Sequence, residues 1–493
     1  MGVLTILSSK LIASIRLSRK EGFYRFKQLM ESLKPVMDEN ATVNTITEGK
    51  ATCKLNKKVF YNPVQELNRD ISIQFLNIIS QYEQNSTTRV KLLEALAASG
   101  LRSARYALEL PSDKFELHAN DHDQSAFQLL QQNLKDYPVE IHCSDACELM
   151  RRNLMFSVID IDPYGSPAKF LESAIVGVKR PGVLMITATD AAVLCGSGPH
   201  QRTCSLGKYS SLPMPNNSSC HEFGLRILLF SILQHCARYG VSMSPLMSLS
   251  VDFYFRVFVQ LKRGQSNVKD QLLKFCGYCL YCPDCRSKWI IPMDGNVLSM
   301  NTCTFCSRSL SMAGPLWIGP LHSSQLLENM LKATEQQSCE LKTKNRMIGI
   351  FTVMLEELDK CPLYIVLTDM CKKLQTTTPS MKIFRSAIVN AGYSVSSTHC
   401  NKEGLKTDAP YSVLWTLLAK WASNNPGKSE DKLSDLAKTL RSYKCETELN
   451  IDFKLRLDAQ SKAQITGLKR FPPNPEPFWG PAKRPRESQN SNT

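Results

Sequence analysis

Between Lys91 and Ala188 the apolar and polar positions follow two alternating rhythms. Strand-length apolar runs, VKLLEAL, FELHAND, VEIHCSD, FSVIDID and GVLMITATD, are separated by helically spaced stretches, LRSARYALEL and DQSAFQLLQQNL. Such β–α alternation predicts a parallel sheet covered by helices. Ligands of such sheets bind at the carboxyl ends of the strands, which puts Glu94, Asp121, Asp145 and Asp162 on one rim. After Ser250, VDFYFRVFVQLK predicts a further strand, a Cys-rich stretch covers 276–306, and AGPLWIGPL is apolar and punctuated by Pro and Gly. From about Ser323 to Cys445 the pattern turns mainly helical, and from about Ala463 it is polar and Pro-rich.

Composition narrows the partners. The chain has 493 residues and a formal net charge of +15, which favours a polyanion and nucleic acid first. No apolar run reaches the length of a membrane span. Residues 1–20 carry Lys10, Arg16, Arg19 and Lys20 without an acid, with Leu4, Leu7, Leu11 and Ile15 at helical spacing. That is the pattern of a mitochondrial presequence, whereas Lys483-Arg484-Pro485-Arg486 resembles a short nuclear localisation signal. The chain is expected in the nucleus, the mitochondrion or both.

The rim residues suggest a ligand and a reaction. The turn EALAASGLRSAR has one glycine, Gly100, among small residues that let a ligand approach the backbone. Asp121 closes the second strand, where an acid takes ribose hydroxyls, and Asp145 closes the third, where an adenine amine could be read. The reacting group is expected at Asp162-Pro163-Tyr164. Pro163 stiffens the turn, Asp162 accepts from an exocyclic amine, and Tyr164 offers a face for a planar base. Holding an amine with its lone pair aimed at an electrophile is the task of an amino-methyltransferase.

Eighteen cysteines without a secretory signal argue against a disulfide framework. Cys282-Pro-Asp-Cys285 and Cys303-Thr-Phe-Cys306 have zinc-ribbon spacing, and four thiolates would close the tetrahedron of a structural site. Cys276 and Cys279 form a further C-x2-C upstream and are alternative ligands. CHEFGLR is no metalloprotease helix, because Leu225 stands where the second His is required. His221 and Glu222 are expected to orient the site wall or cap a helix. Lys372, Lys373, Lys382, Arg385, Lys402 and Lys406 are candidates for phosphate contacts.

The blocks TEGKA, FYNPVQELNRD, EALAASGLRSARYALE, ANDHD, DIDPYGSPAKFL, ITATDAAVLCG, CHEFGLRIL, DFYFRVFV and GPLWIGPL run in order from about Thr47 to Leu321. Together with TDAPYSVLW and GLKRFPPNPEPFWGP, they resemble the tRNA (guanine-26-N2) dimethyltransferase family in its eukaryotic form. The resemblance implies S-adenosylmethionine as donor and the N2 of a tRNA guanine as acceptor, methylated twice. It implies donor binding by Arg69, Arg102, Asp121, Asp145 and Ala146, a catalytic turn at Asp162, Pro163 and Tyr164, and Zn2+ on Cys282, Cys285, Cys303 and Cys306.

The expected fold is α/β, a class I (Rossmann-like) S-adenosylmethionine-dependent methyltransferase with an inserted zinc ribbon and a mainly helical C-terminal domain. The expected divisions are an extension at 1–40, a catalytic domain at 41–265, the zinc-ribbon insert at 266–322, a tRNA-binding domain at 323–462 and a basic tail at 463–493. The loop around Pro199 to Leu206 departs from the family pattern. Two rival readings are a related amino-methyltransferase on another RNA guanine and a non-catalytic tRNA chaperone.

Overall fold

The computed structural model describes residues 44–55, 61–82, 88–152, 154–294, 300–336, 341–446, 448–468 and 471. The presequence-like segment and the cluster at 483–486 lie outside the described residues. A hairpin of β1 (Asn44–Glu48) and β2 (Ala51–Leu55) leads into α1 (Glu66–Tyr82). Strands and helices then alternate: β3 (Val90–Glu94), α2 (Leu101–Glu109), β4 (Phe115–Asn120), α3 (Gln124–Leu134), β5 (Val139–His142), α4 (Ala146–Arg151), β6 (Phe156–Ile161), α5 (Leu171–Gly177) and β7 (Val178–Ala188). Three helices, α6 (Ala191–Leu194), α7 (Pro199–Tyr209) and α8 (Cys220–Arg238), precede β8 (Val241–Val251) and β9 (Tyr254–Arg263).

These strands form a seven-stranded sheet in the order β5-β4-β3-β6-β7-β9-β8. Strands β3 to β7 pair in parallel, and β9 lies antiparallel between β7 and β8. The order reverses between β3 and β6, so a crevice opens beyond their carboxyl ends. Adjacent residues of one strand serve opposite cores. Leu93, Ile159, Leu184 and Ile186 pack with α8, whereas Leu92, Val158, Val183 and Met185 pack with Phe75 and Leu76 of α1. The latter core also takes Met330 of α10 (Ser324–Gln336) and Phe351 of α11 (Lys344–Glu356), which follow α9 (Gln265–Phe275) along the chain.

Two local expectations need correction. VDFYFRVFVQLK is not one strand: the chain turns at Asp252, whose φ is +50°, and VSMSPLMSLSV before it is a full partner strand. The stretch from Pro199 is an 11-residue helix rather than a loop, with Pro in its first turn where no intrahelical N–H hydrogen bond is lost.

A three-stranded antiparallel sheet in the order β11-β10-β12 follows α9, formed by β10 (Cys276–Tyr281), β11 (Lys288–Pro292) and β12 (Ser311–Trp317). Beyond α11 come β13 (Ile365–Val366), α12 (Leu367–Leu374), α13 (Met381–Asn390), β14 (Val395–Ser397), β15 (Gly404–Thr407), α14 (Tyr411–Asn424) and α15 (Asp435–Ser442). Their core is shared with the cysteine cluster: Cys282, Cys285, Cys303 and Phe305 pack with Phe384, Trp415 and Leu440. Trp415 Nε1 donates to Ser287 Oγ at 2.8 Å, fixing α14 to the loop that follows Cys285. Among the described residues no helix is long and apolar enough to cross a membrane.

Candidate active site

The turn after β3 is shaped by its glycine. Gly100 has φ +77°, and a Cβ there would stand 2.8 Å from Leu130 Cδ2, so only glycine fits without strain. Gly100 is also the N-cap of α2, so no side chain caps that helix, and its first amides face the rim. The turn is held from the two neighbouring strands, β6 and β4. Ala95 N donates to Asp160 O at 2.9 Å, Ala97 N to Asn120 O at 2.8 Å, and Ala98 N to Asp121 Oδ2 at 2.9 Å.

Asn120, which sequence reasoning missed, joins three strand ends. Its Nδ2 donates to Ala95 O and Ser144 O, and its Oδ1 accepts from Ser144 N. Asp121 lies beside the turn, with Asp123 N donating to its Oδ1 at 3.0 Å. Asp145 caps α4 by accepting from Cys147 N and Glu148 N, and Ala146 is the buried first residue of that helix. Asp145 therefore has a structural duty at its strand end, whatever else it contacts.

The structure brings Arg102 and Asp162 directly together. The Arg102 guanidinium pairs with Asp162 Oδ2, with Asp160 Oδ2 at 3.3 Å and with Glu94 Oε1 at 3.6 Å. Asn68 Nδ2 also reaches Asp162 Oδ2 at 3.4 Å. Among the described residues nothing bonds Asp162 Oδ1. Pro163 is buried, whereas Tyr164 is 56% exposed. The turn is clasped to β7, since Gly165 N donates to Thr189 Oγ1 at 2.7 Å and Thr189 N donates to Gly165 O at 2.9 Å. Ser166 Oγ and Asp190 both meet the Tyr209 hydroxyl at 2.7 Å, which ties α7 to the same rim.

Beneath the rim lies a buried ionic layer. Asp160 takes Arg256 NH1 and the Tyr106 hydroxyl, each at 2.7 Å. Burial would raise Asp160, but Arg256 and Arg102 outweigh it and hold the carboxyl below its ordinary value. Glu94 goes the other way. Burial pushes it up to about 8 against the pull of Arg102 and Ser103. Arg69 is not joined to Arg102. It forms a two-pronged pair with Glu48 of β1, with Nε at 2.6 Å, and Arg105 binds the same carboxylate at 2.7 Å. Glu48, Arg105, Asp160 and Arg256 were not foreseen. For Asp160 and Arg256 the signal was a charge inside an apolar run, as in FSVIDI and FYFRVFV.

The four cysteines Cys282, Cys285, Cys303 and Cys306 converge, with all Sγ atoms within 4.8 Å of one another. Both arms have one backbone design. Arg286 N donates to Cys282 O and Ser307 N to Cys303 O, and Arg286 and Ser307 share a left-handed φ of +70° and +57°. This all-thiolate donor set, closed on four sides, fits a tetrahedral zinc ion. Cys276 and Cys279 lie apart in the sheet core on β10, and burial pushes both thiols up to about 12.

Glu222 does not cap α8. It is buried, pairs with Arg226 at 2.8 Å and Lys406 at 3.2 Å, and accepts from Leu363 N. Lys406 also pairs with Glu357 at 3.1 Å, and Arg385 Nε donates to Ala459 O. Lys406 and Arg385 are thus buried structural cations and not phosphate contacts. His221 lies near Cys195, with Nδ1 3.9 Å from its Sγ.

A family described as N2,N2-dimethylguanosine tRNA methyltransferase matches residues 40–419. The tRNA (guanine(26)-N(2))-dimethyltransferase of Drosophila melanogaster is 34% identical over 91% of this chain and 88% of its own length. Dimethyltransferase 2 of Arabidopsis thaliana is 36% identical over 80% of this chain and 69% of its own. The solved structure of Trm1 from Pyrococcus horikoshii with S-adenosyl-L-methionine is 31% identical, covers 75% of this chain and 98% of that one, and superimposes with a TM-score of 0.66.

Proposed function

Since the chain belongs to the N2,N2-dimethylguanosine tRNA methyltransferase family, we propose how its own residues perform that family's reaction. It is a tRNA (guanine(26)-N2)-dimethyltransferase that methylates the exocyclic N2 of guanine 26. When bound, S-adenosylmethionine supplies an electrophilic methyl group. The Gly100 turn and the uncapped amides of α2 receive its amino-acid end. Asp121 accepts one backbone amide on each oxygen, with His122 Nδ1 a further 3.6 Å from Oδ1, and retains lone pairs for the ribose hydroxyls. Asp145 and Ala146 border the adenine position, and Arg102 and Arg69 set the charge around the amino-acid end.

The observation that carries the reading is the state of Asp162. Arg102 and Asn68 hold it through Oδ2 alone, and exposed Tyr164 follows two residues later. Oδ1 accepts from the guanine N2–H while the Tyr164 ring stacks on the base. Asp162 thereby fixes the amine's direction and is at hand to take the proton released on transfer. Zinc on the four cysteines acts structurally, since no ligand position stays open. The nucleus, the mitochondrion or both are the proposed locations, on the strength of the two basic termini.

The experiment is nucleoside mass spectrometry of unmodified tRNA incubated with the protein and labelled donor. Dimethylguanosine at position 26 is the expected product. Asp162→Asn should cut turnover by roughly 10²–10³-fold with tRNA affinity kept. Equal turnover by the variant removes Asp162 from catalysis. A mark on another base changes the substrate, and tRNA binding without any transfer turns the reading to a chaperone.

A further inference from the structure

Away from the rim, a cavity of roughly 340 Å³ opens where three separate segments meet. They are the loop before α8, the segment after Cys285 and β13 with the helix α12, and Tyr411 of α14 completes the lining. Four cationic side chains line it, Arg286, Lys288, Lys372 and Lys373, against one carboxylate, Asp369. Lys372 Nζ is 3.4 Å from Asp369, and the Lys373 ammonium has no ion pair among the described residues.

The second observation is Asn217, which lines the same cavity and is 8% exposed. Its Oδ1 accepts from Ser219 N at 3.0 Å and from Ser219 Oγ at 2.7 Å, which fixes the amide's orientation. Its Nδ2 is buried with no hydrogen-bond partner. A buried donor without an acceptor is costly, and a ligand oxygen would remove the cost. Lys288 is anchored on Ser219 Oγ at 2.6 Å, and burial lowers its proton affinity, a penalty that an incoming anion would offset. Arg286 is held by Pro215 O at 3.1 Å, so its guanidinium is already ordered.

We propose that this cavity is a docking site for a backbone phosphate of the RNA substrate, held by Asn217 Nδ2, Arg286, Lys372 and Lys373. The proposal rests on the tRNA reading above and adds a place to it. Tyr209 touches Ser166 beside the catalytic turn, and Asn217 follows it by eight residues. Eight residues span at most about 29 Å, so the phosphate lies within the reach of one folded tRNA. The site joins the cysteine cluster to substrate grip, since Arg286 sits in one of its two backbone knuckles.

The test uses the full chain and unmodified tRNA, with affinity measured across a salt series. The variants are Asn217→Asp and the double variant Lys372→Gln/Lys373→Gln. Each should weaken tRNA binding roughly tenfold, and the lysine pair should reduce the salt slope by about one to two. Donor affinity should be unchanged in both. Loss in the lysine pair with none in Asn217→Asp overturns the cavity and leaves only a basic surface. Wild-type binding matched by both variants also overturns it, with the tRNA reading intact. A wild type that binds no tRNA removes that reading and the docking site together.

Discussion

Two aspartates two residues apart have opposite duties. Asp160 is saturated by Arg256, Tyr106 and Arg102 and belongs to the interior. Asp162 spends one oxygen on Arg102 and Asn68, and the other is the one proposed to meet the guanine amine. Asp162 was legible because it ends an apolar run before a Pro-aromatic-Gly turn. Asp160 was not, because its partner Arg256 is 96 residues away, and no local pattern reports so distant a pairing. Glu94 yields a prediction of pH dependence. Its folded value is raised to about 8 from 4.5, so its contribution to stability is complete below the unfolded value and is lost as pH rises through 8. Denaturant midpoints of the wild type should therefore fall between about pH 5 and 9 more steeply than those of Glu94→Gln. Parallel curves for the two proteins would show that Glu94 keeps an ordinary carboxyl in the fold.

At the scale of elements, one turn and one ionic latch have sharp consequences. Gly100→Ala places a Cβ against Leu130 in a left-handed conformation and should cost about 1–3 kcal/mol, read from the denaturant midpoint. Donor affinity should drop with it, because the same turn borders the rim. Lys406 bridges Glu222 of α8 and Glu357 after α11, and all three side chains are buried. Among the described residues, Lys406→Met leaves Glu222 to pair with Arg226 alone and Glu357 with His399 alone, and should destabilise by about 1–3 kcal/mol. Its salt slope for tRNA binding should match the wild type's, which separates a buried lysine from a phosphate contact. The strands from β3 to β7 were legible because each is an apolar run bounded by helical spacing. Strand β8 was not, since MSPLMSLS is too rich in serine to register as an apolar run, and the bend at Asp252 carries no Gly or Pro. The helix α7 was missed because its sequence, PHQRTCSLGKY, is polar and contains a glycine.

For the whole molecule, the net charge of +15 sets the expectation that tRNA affinity falls steeply with salt, with a log–log slope of several units. Native mass spectrometry should find one zinc per chain. Cys303→Ser should lose it and lower the melting temperature, whereas Cys276→Ser should retain it, because Cys276 packs in the sheet core. The family and the cysteine spacing were legible across the length of the chain, since both are written in local blocks. The fusion of the cysteine cluster with the C-terminal core was not, because it depends on Trp415 reaching Ser287 across 128 positions. That fusion has a consequence for the protein's lifetime. The four cysteines line the same apolar interior as Phe384 and Leu440, so with zinc as the proposed ligand, metal occupancy would become a condition for keeping that interior shut. A chain made when zinc is scarce would show its apolar side chains to the proteases that clear unfinished proteins. The supply of one trace element would then set how many copies survive to meet a tRNA.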